Sequence, residues 1–280
     1  MRISISNIAW DIVEDEQVAL LLRKYRIDAI DVAPGKYFPK PKETTLSEVI
    51  IVRDWWGEYG IEITAMQSLL FDVTGMNLFG STEVQVDMLY YLNDICRIAS
   101  NLGATRLVFG SPKNRNRAGL SDEVATKTAI SFFTRLGDIA GNHGVIICLE
   151  PNPSCYDCNF MMNSSETANI VSRIAHPAIR LQLDTGALTI NGEDPHQVIR
   201  QYAHLIGYVH VSEPKLATIG DGKTDHAKVA SALGRYLKDQ IVSIEMLAAR
   251  FEPHIVAVER ALKVAVNYYR NAHSELEDVL

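Results

Sequence analysis

The chain has 280 residues, of which 47% are apolar and 22% charged, a composition typical of a folded globular protein. Its formal net charge of −7 argues against nucleic acid as a partner, because nucleic-acid binding requires a clustered basic surface. No apolar run approaches the roughly 18 residues of a membrane span, and the N-terminal residues do not resemble a signal peptide. We therefore expect a cytoplasmic protein without a membrane partner.

The first half of the chain alternates short apolar segments with amphipathic ones. Strands are predicted over residues 2–6, 28–32, 61–67 and 105–110, and helices over 14–25, 47–59, 83–101 and 122–142. Gly60, Gly103 and Gly144 each stand between a helix and the following strand, as expected of a left-handed glycine that ends a helix. Two long loops are predicted, over residues 34–42 and 68–82, and both carry aromatic side chains.

The second half continues the same alternation. Strands are predicted over residues 145–150, up to 184, 207–211 and 241–245, and helices over 164–174, 194–203, 224–238 and 253–271. The acidic tail, residues 274–280, is expected to fray. Eight strands alternating with eight helices, with no linker between them, predict one domain over residues 1–280 that folds as a closed (β/α)₈ TIM barrel. The alternative, an open doubly wound sheet, would carry a Gly-rich fingerprint that this sequence lacks.

The segment from Gly144 to Pro153 is the most informative of the chain. Val145 to Leu149 is a short, continuously apolar run, typical of a strand buried on both faces, and it ends on the carboxylate of Glu150. An isolated buried carboxylate is costly, so Glu150 needs a partner. Three later strands end in the same way, on Asp184, His210 and Glu245.

In a barrel the carboxyl ends of the strands meet at one mouth, where the active site is built. We therefore expect the four strand-end residues to lie together and to bind one divalent metal ion. Three carboxylates and one imidazole favour Mn²⁺ foremost, with Mg²⁺ or Co²⁺ as alternatives, over a structural zinc ion, which prefers cysteine and histidine.

The four cysteines do not indicate a disulfide framework. Cys155 and Cys158 have the spacing of half a zinc or redox motif, but no second such pair completes it. We interpret both as loop thiols, and their role stays open.

The segments that carry the four strand-end residues also have a family resemblance, which covers essentially the whole chain. They read CLEPNP, LQLDTG, YVHVSEP and VSIEM, and with their spacing they resemble the sugar isomerase/epimerase superfamily of xylose isomerase-like barrels. That superfamily includes ketose 3-epimerases, hydroxypyruvate isomerase, inosose dehydratase, C-glycoside-cleaving enzymes and, more distantly, endonuclease IV. The resemblance implies that Glu150, Asp184, His210 and Glu245 are metal ligands. It also implies that Glu150 and Glu245 are the catalytic acid/base pair.

The sequence departs from the ketose 3-epimerases at three positions that orient their substrate. Those enzymes carry histidine where this chain has Ala187, arginine where it has Leu216 beside Lys215, and a further glutamate where it has Tyr156. It also lacks the additional histidine ligands of endonuclease IV: its third and fourth strands end in Gln67-Ser68 and Gly110-Ser111. The free-ketose 3-epimerase assignment therefore stays open, and the nuclease is disfavoured.

A divalent ion that holds a carbonyl and its neighbouring hydroxyl acidifies the C–H bond between them and stabilises the enediolate that forms. Two carboxylates on opposite sides of a bound polyol then allow epimerisation or aldose–ketose isomerisation. We therefore expect a metal-dependent isomerase or epimerase of a sugar or sugar-like polyol, with its oligomeric state left open. The alternatives are a lyase, either inosose dehydratase-like or C-glycoside-cleaving, and a non-catalytic carbohydrate-binding barrel.

Aromatic residues near the expected mouth are candidates for substrate contact. Trp10, Tyr37 and Phe71 are predicted to form an apolar wall against the carbon face of the sugar. Tyr156 and Lys215 are further substrate-binding candidates, from their places in the family pattern. If Glu150 and Glu245 were ligands only, His226 and Lys215 would be the next acid/base candidates.

Overall fold

The computed structural model describes residues 1–270 and contains eight parallel strands that close into a barrel in chain order. The strands are β1 Arg2–Ser6, β2 Ala29–Val32, β3 Glu62–Met66, β4 Arg106–Phe109, β5 Ile146–Leu149, β6 Ile179–Asp184, β7 Ile206–Ser212 and β8 Ile241–Glu245. Each strand pairs with the next along the chain, and β8 returns to β1 with Ile241 opposite Arg2. This closure confirms the predicted (β/α)₈ barrel.

Ten α-helices lie within residues 1–270. They are α1 Asp15–Lys24, α2 Pro34–Tyr37, α3 Leu46–Glu58, α4 Thr82–Leu102, α5 Asp122–Asn142, α6 Ser164–Ile174, α7 Thr185–Asn191, α8 Pro195–Tyr202, α9 His226–Tyr236 and α10 His254–Ala265. A short π-helical turn, Val266–Arg270, follows α10. The tail expected to fray, residues 274–280, lies outside the described part of the chain.

Two of these helices were not predicted, and both are short. The α2 helix falls in a segment predicted as loop, and it begins with a proline at its first position. The α7 helix begins directly after β6, where the Asp184 side chain accepts a hydrogen bond from the backbone N–H of Ala187. Both depend on a single residue at their start rather than on an amphipathic repeat, so the periodicity gave no signal for them.

Left-handed glycines end the helices that precede three strands, as the sequence predicted. Gly60, Gly103 and Gly144 have φ values of 72°, 87° and 69°. These angles are accessible to glycine at little cost, so the chain can turn from a helix directly into the next strand. The short connections leave the longer loops at the carboxyl ends of the strands.

The apolar residues form two separate regions. The larger core lies between the strands and the surrounding helices and includes Trp56, Phe109 and Phe133. A small second cluster, Ala65, Val108, Cys148 and Tyr208, lies inside the barrel. Within residues 1–270, no helix is both long enough and apolar enough to cross a membrane.

Candidate active site

The four strand-end residues meet at the mouth of the barrel, as predicted. We call Glu150, Asp184, His210 and Glu245 the strand-end cluster. Each offers one ligand atom, and these atoms all lie within 4.8 Å of one another. The register of the strands brings them together, since Asp184 on β6 stands opposite His210 on β7. All four residues are buried, none being more than 9% exposed.

His210 is at the centre of the cluster and presents its Nδ1 atom to the two glutamates. This atom lies 3.4 Å from Oε1 of Glu150 and 3.2 Å from Oε2 of Glu245. Asp184 is held by two hydrogen bonds of 2.6 Å, one from the Ser212 hydroxyl to Oδ2 and one from a backbone N–H to Oδ1. The ligand atoms are therefore positioned by hydrogen bonds and strand register.

The close approach of these groups perturbs their proton affinities. Burial, together with the neighbouring Glu245 and Glu150 carboxylates, raises the pKa of Asp184 to about 7. Burial likewise raises the pKa of Glu245 above its ordinary value. Burial by itself would lower the pKa of His210, but the surrounding carboxylates of Glu245, Asp31 and Glu150 outweigh it and hold that pKa well above its ordinary value. The cluster therefore favours bound positive charge.

The residues present fit a divalent metal ion. Oε1 of Glu150 is buried, faces His210 Nδ1 and has no hydrogen-bond partner within the described residues. A buried carboxylate oxygen without a donor is costly unless a cation satisfies it. Three carboxylates and one imidazole are a donor set suited to hard or borderline divalent ions. The cluster can therefore bind one divalent metal.

A group of residues behind Glu150 positions its second oxygen, and the sequence analysis did not identify it. Arg115, which is completely buried, donates one hydrogen bond of 2.8 Å to the carbonyl of Glu150 and another of 2.5 Å to Oδ1 of Asn152. Nδ2 of Asn152 in turn donates to Oε2 of Glu150, at 3.1 Å. Arginine cannot accept a hydrogen bond, so it fixes which end of the Asn152 amide faces Glu150.

Gly110, at the end of β4, leaves the space that the Glu150 carboxylate occupies. A Cβ atom at this position would overlap Oε2 of Glu150. The Glu-Pro-Asn-Pro turn and this strand-end glycine were visible in the sequence, but their contact depends on how β4 and β5 lie side by side.

Asp31 is a further residue beside the cluster that was not predicted from the sequence. It lies on β2 inside the barrel, is completely buried, and its Oδ2 atom is 3.6 Å from Nε2 of His210. One signal was present, since a carboxylate interrupts an otherwise apolar strand at Ala29–Val32.

Two adjoining pockets that share Pro112, Glu150, Asn152 and Glu245 lie at the strand-end cluster, and we call them the two lobes of the cavity. The smaller lobe, about 180 Å³, is lined on the β3–β4 side by Gln67, Ser68, Phe71, Gly110 and Ser111. The larger lobe, about 350 Å³, is lined by Tyr156, Asp184, Ala187, Lys215 and Leu216 among others. Glu150 and Glu245 border both lobes. Three of the five substrate-binding candidates, Phe71, Tyr156 and Lys215, therefore lie at the cavity.

The other two candidates, Trp10 and Tyr37, lie away from the cavity walls in a buried hydrogen-bonded network. The indole N–H of Trp10 and the hydroxyl of Tyr37 both donate to Asp15, at 2.7 Å each. Trp10 has no exposed surface and packs edge-on against Trp56. The structure thus shows these aromatics joining the first two βα loops to the core, instead of forming an open wall with Phe71.

His226, an alternative acid/base candidate, has both ring nitrogens occupied. Its Nε2 atom lies 3.1 Å from Oε1 of Glu213 and its Nδ1 atom 2.6 Å from the hydroxyl of Tyr269. It is the first residue of α9, which lies within the helix predicted over residues 224–238. Cys155 and Cys158 are free thiols on the loop after β5, the first exposed and the second buried.

The closed barrel and its strand-end cluster define a class of protein: a (β/α)₈ barrel in which four consecutive strands bring together side chains that could hold a metal ion. The family model described as "Xylose isomerase-like TIM barrel" matches residues 21–271, and the chain belongs to this family. A Xenopus laevis protein that carries the name "Putative hydroxypyruvate isomerase" is 28% identical over 127 residues. That match covers 44% of this chain and 46% of the relative, so the chain aligns with about half of the relative's length.

Several solved structures share the fold at low sequence identity. An L-ribulose 3-epimerase superposes with a TM-score of 0.81 at 17% identity, covering 99% of this chain and 97% of that one. The D-psicose 3-epimerase of Clostridium cellulolyticum H10, solved with D-tagatose, gives 0.79 at 16% identity, covering 97% and 99%. The IolI protein, solved with a zinc atom, gives 0.76 at 18% identity, covering 98% and 100%. At these identities the likeness shows the fold.

Proposed function

We propose that this chain is a divalent-metal-dependent isomerase or epimerase of a sugar or sugar-like polyol, and that Mn²⁺ is its preferred ion. The observation that carries the proposal is the placement of Glu150 and Glu245. Each has a carboxylate oxygen beside His210 Nδ1, and both side chains border the two lobes of one cavity. A substrate that lies across the cluster would be within reach of two carboxylates, which come from the ends of two different strands.

The two oxygens of Glu150 have different surroundings, which suits a residue that both binds an ion and moves a proton. Oε1 faces the centre of the cluster, while Oε2 accepts the Asn152 amide hydrogen bond at the cavity wall. Arg115 holds the amide in that orientation, so Oε2 is kept at a fixed place from which to take a proton. A bound divalent ion would supply polarisation of the substrate carbonyl.

The names of the similar proteins support the same reaction class. The Xenopus laevis relative carries the name "Putative hydroxypyruvate isomerase", and the solved structures include ketose 3-epimerases. In our proposal Glu150 and Glu245 are the acid/base pair, and Phe71, Tyr156 and Lys215 contact the substrate. Lys215 and His226 are the alternative acid/base candidates. Lys215 lies at the cavity, whereas both ring nitrogens of His226 are bonded, one to Glu213 and one to Tyr269.

A lyase acting on a related polyol is the second candidate. Ala187 and Tyr156 line the larger lobe, so this wall offers neither the imidazole nor the extra carboxylate that the family pattern places there in ketose 3-epimerases. Product analysis separates the two: epimers conserve mass, whereas dehydration loses one water.

The test is solvent exchange by Mn²⁺-loaded protein in D₂O with a panel of ketoses and inososes. We expect deuterium at the carbon beside the substrate carbonyl. Glu150→Gln and Glu245→Gln should each retain metal and lose turnover by about 10²–10⁴-fold, because the amide keeps an oxygen ligand but removes the base. Asp138→Asn is the control, since Asp138 also pairs with a histidine, His176, but lies outside the cluster.

If the two glutamates act on opposite faces, each variant should still exchange the proton of one epimer only. Wild-type turnover in both variants, with metal retained, would mean that the two carboxylates are ligands alone. Metal-loaded wild-type protein that exchanges nothing across the panel would contradict the enzymatic proposal and favour a carbohydrate-binding barrel.

A further inference from the structure

Asp31 lies directly beneath the strand-end cluster, and only one of its two oxygens is occupied. Oδ1 accepts hydrogen bonds from the Tyr208 hydroxyl at 2.6 Å and the Ser4 hydroxyl at 2.9 Å. Thr64 approaches the same oxygen at 3.5 Å. Oδ2 has no partner within the described residues, and Nε2 of His210, which also has none, lies 3.6 Å away. The two unpaired atoms face each other.

The charge of Asp31 requires a compensating group. Its side chain has no exposed surface, and a buried carboxylate without a cationic or donor partner is costly. Among residues 1–270, the ion pair formed by Asp31 is with His210, and no lysine or arginine forms one with it. The carboxylate is therefore matched to the imidazole on the opposite side of the barrel interior.

The two ring nitrogens of His210 face different groups. Nδ1 points to the glutamates of the cluster, and Nε2 points to Asp31. A histidine binds a metal through the lone pair of an unprotonated nitrogen, so binding through Nδ1 requires the proton to be on Nε2. That buried N–H then needs an acceptor, and Oδ2 of Asp31 is the one that faces it.

We propose that Asp31 is a positioning residue for the metal site: it accepts the Nε2 proton of His210 and so keeps Nδ1 free to bind the ion. The hydroxyls on Oδ1 hold the carboxylate in place, which leaves Oδ2 aimed at the ring before any ion binds. This inference rests on the metal site of the proposed function but not on its reaction or substrate.

The variant Asp31→Asn tests the proposal at the level of single atoms. The hydroxyls of Tyr208 and Ser4 donate to Oδ1, so they should keep the amide oxygen there and turn the amide NH₂ toward His210. Two donors would then face each other, which favours the tautomer with its proton on Nδ1. The dissociation constant for Mn²⁺ alone, measured by calorimetry, should rise about 10–100-fold.

Asp15→Asn is the matched control. Asp15 is also buried and also accepts from a tyrosine hydroxyl and a second donor, but these are Tyr37 and Trp10, away from the cluster. Its Mn²⁺ affinity should match that of the wild type. Equal losses of affinity in both variants would show a general packing effect and overturn the proposal.

A second measurement reads the tautomer itself. In Co²⁺-loaded protein labelled with ¹⁵N-histidine, the Nε2 proton of His210 should give a shifted signal that exchanges slowly with solvent. In Asp31→Asn this signal should disappear or exchange faster with solvent. Tyr208→Phe removes one hydroxyl that holds Asp31, so the signal should exchange faster and the metal affinity should fall about tenfold or less. If Asp31→Asn does not fold, Tyr208→Phe carries the test.

Wild-type affinity and an unchanged signal in the folded variants would overturn the positioning role. A protein that binds Mn²⁺ as described but is inactive on every polyol would contradict the proposed reaction and leave this result standing. Wild-type protein that binds no ion would overturn the metal site and the inference together.

Discussion

The two halves of the barrel have the same backbone pattern but carry different chemistry. In the second half, β5 to β8, every strand has a member of the strand-end cluster within two residues of its carboxyl end. In the first half, the residues at the ends of β3 and β4 carry no charge: Gln67, Ser68, Gly110 and Ser111. The fold therefore fixes where a site can be built, and the residues at the strand ends decide which half could hold an ion.

The first half still shapes the site. Asp31 on β2 faces Nε2 of His210, Gly110 after β4 leaves room for Glu150, and Phe71 lines the smaller lobe of the cavity. This comparison indicates a division of roles: the second half supplies the charged groups of the site, and the first half orients them and shapes the cavity. Four predictions examine that division.

The largest effect is expected from the ligands of the second half. Asp184→Ala or His210→Ala removes a ligand and leaves the remaining carboxylates without a shared cation, so purified protein should lose its bound ion. Wild-type protein should hold close to one Mn²⁺-class ion per chain. Ser111→Ala, at the mouth of the first half, should retain it. Stoichiometric metal in both ligand variants, measured by elemental analysis after gel filtration, would refute the site.

Gly110→Ala tests whether the first half constrains the chemistry of the second. The added Cβ would overlap Oε2 of Glu150 and displace that carboxylate. We expect turnover to fall about 10²-fold, as misplacement of a reacting group by about 1 Å can do, while metal content stays near the wild-type value. Gly35→Ala, where a Cβ meets no atom within 4 Å, is the control. Equal kcat values for the two variants would contradict this constraint.

The stability of the metal-free fold and the affinity of the strand-end cluster for Mn²⁺ should both depend on pH. Burial, with Glu245 and Glu150 nearby, raises the pKa of Asp184 from an ordinary value near 4 to about 7. Below about pH 4 this carboxyl is protonated in both the folded and the unfolded chain, and above about pH 7 it is ionised in both. Its destabilising effect on the metal-free fold therefore grows as pH rises from about 4 to 7 and stays constant above.

A bound ion displaces that proton, so Mn²⁺ affinity should rise over the same window by up to about tenfold per pH unit. Calorimetric titration at several pH values measures the slope. The increase in melting temperature on adding Mn²⁺ should likewise be larger above pH 7 than near pH 5. An affinity that does not change with pH would mean that Asp184 is ionised before the ion arrives.

The smallest effect on activity is expected from the aromatic residues of the first half. Phe71 lies at the cavity, whereas Tyr37 lies in the buried network. Phe71 is 70% exposed at the cavity, so Phe71→Ala should raise KM severalfold with little change in stability. Tyr37 bonds to Asp15 and Trp56, so Tyr37→Ala should destabilise the fold by about 3 kcal/mol and change KM less. Thermal denaturation and steady-state kinetics separate the two. If KM and kcat were unchanged in both variants, neither Phe71 nor Tyr37 would contact the substrate.

Local patterns predicted most of the secondary structure. The α5 helix has the predicted bounds, β1 and β8 also match, and the other long elements lie within a few residues. These elements have apolar repeats that depend on their own residues alone. The α2 and α7 helices were missed because each starts from one capping residue and is too short to show a repeat.

The sequence by itself also determined the strand-end cluster. Each member follows an apolar run, and barrel geometry brings such ends together whatever the loops do. Only the tertiary structure decided what supports the cluster and what lines the cavity. Asp31 reaches His210 across the barrel, Arg115 fixes Asn152 from another loop, and Trp10 turns into the core. Those contacts depend on the direction of side chains from elements far apart in the chain, which no local pattern of residue types encodes.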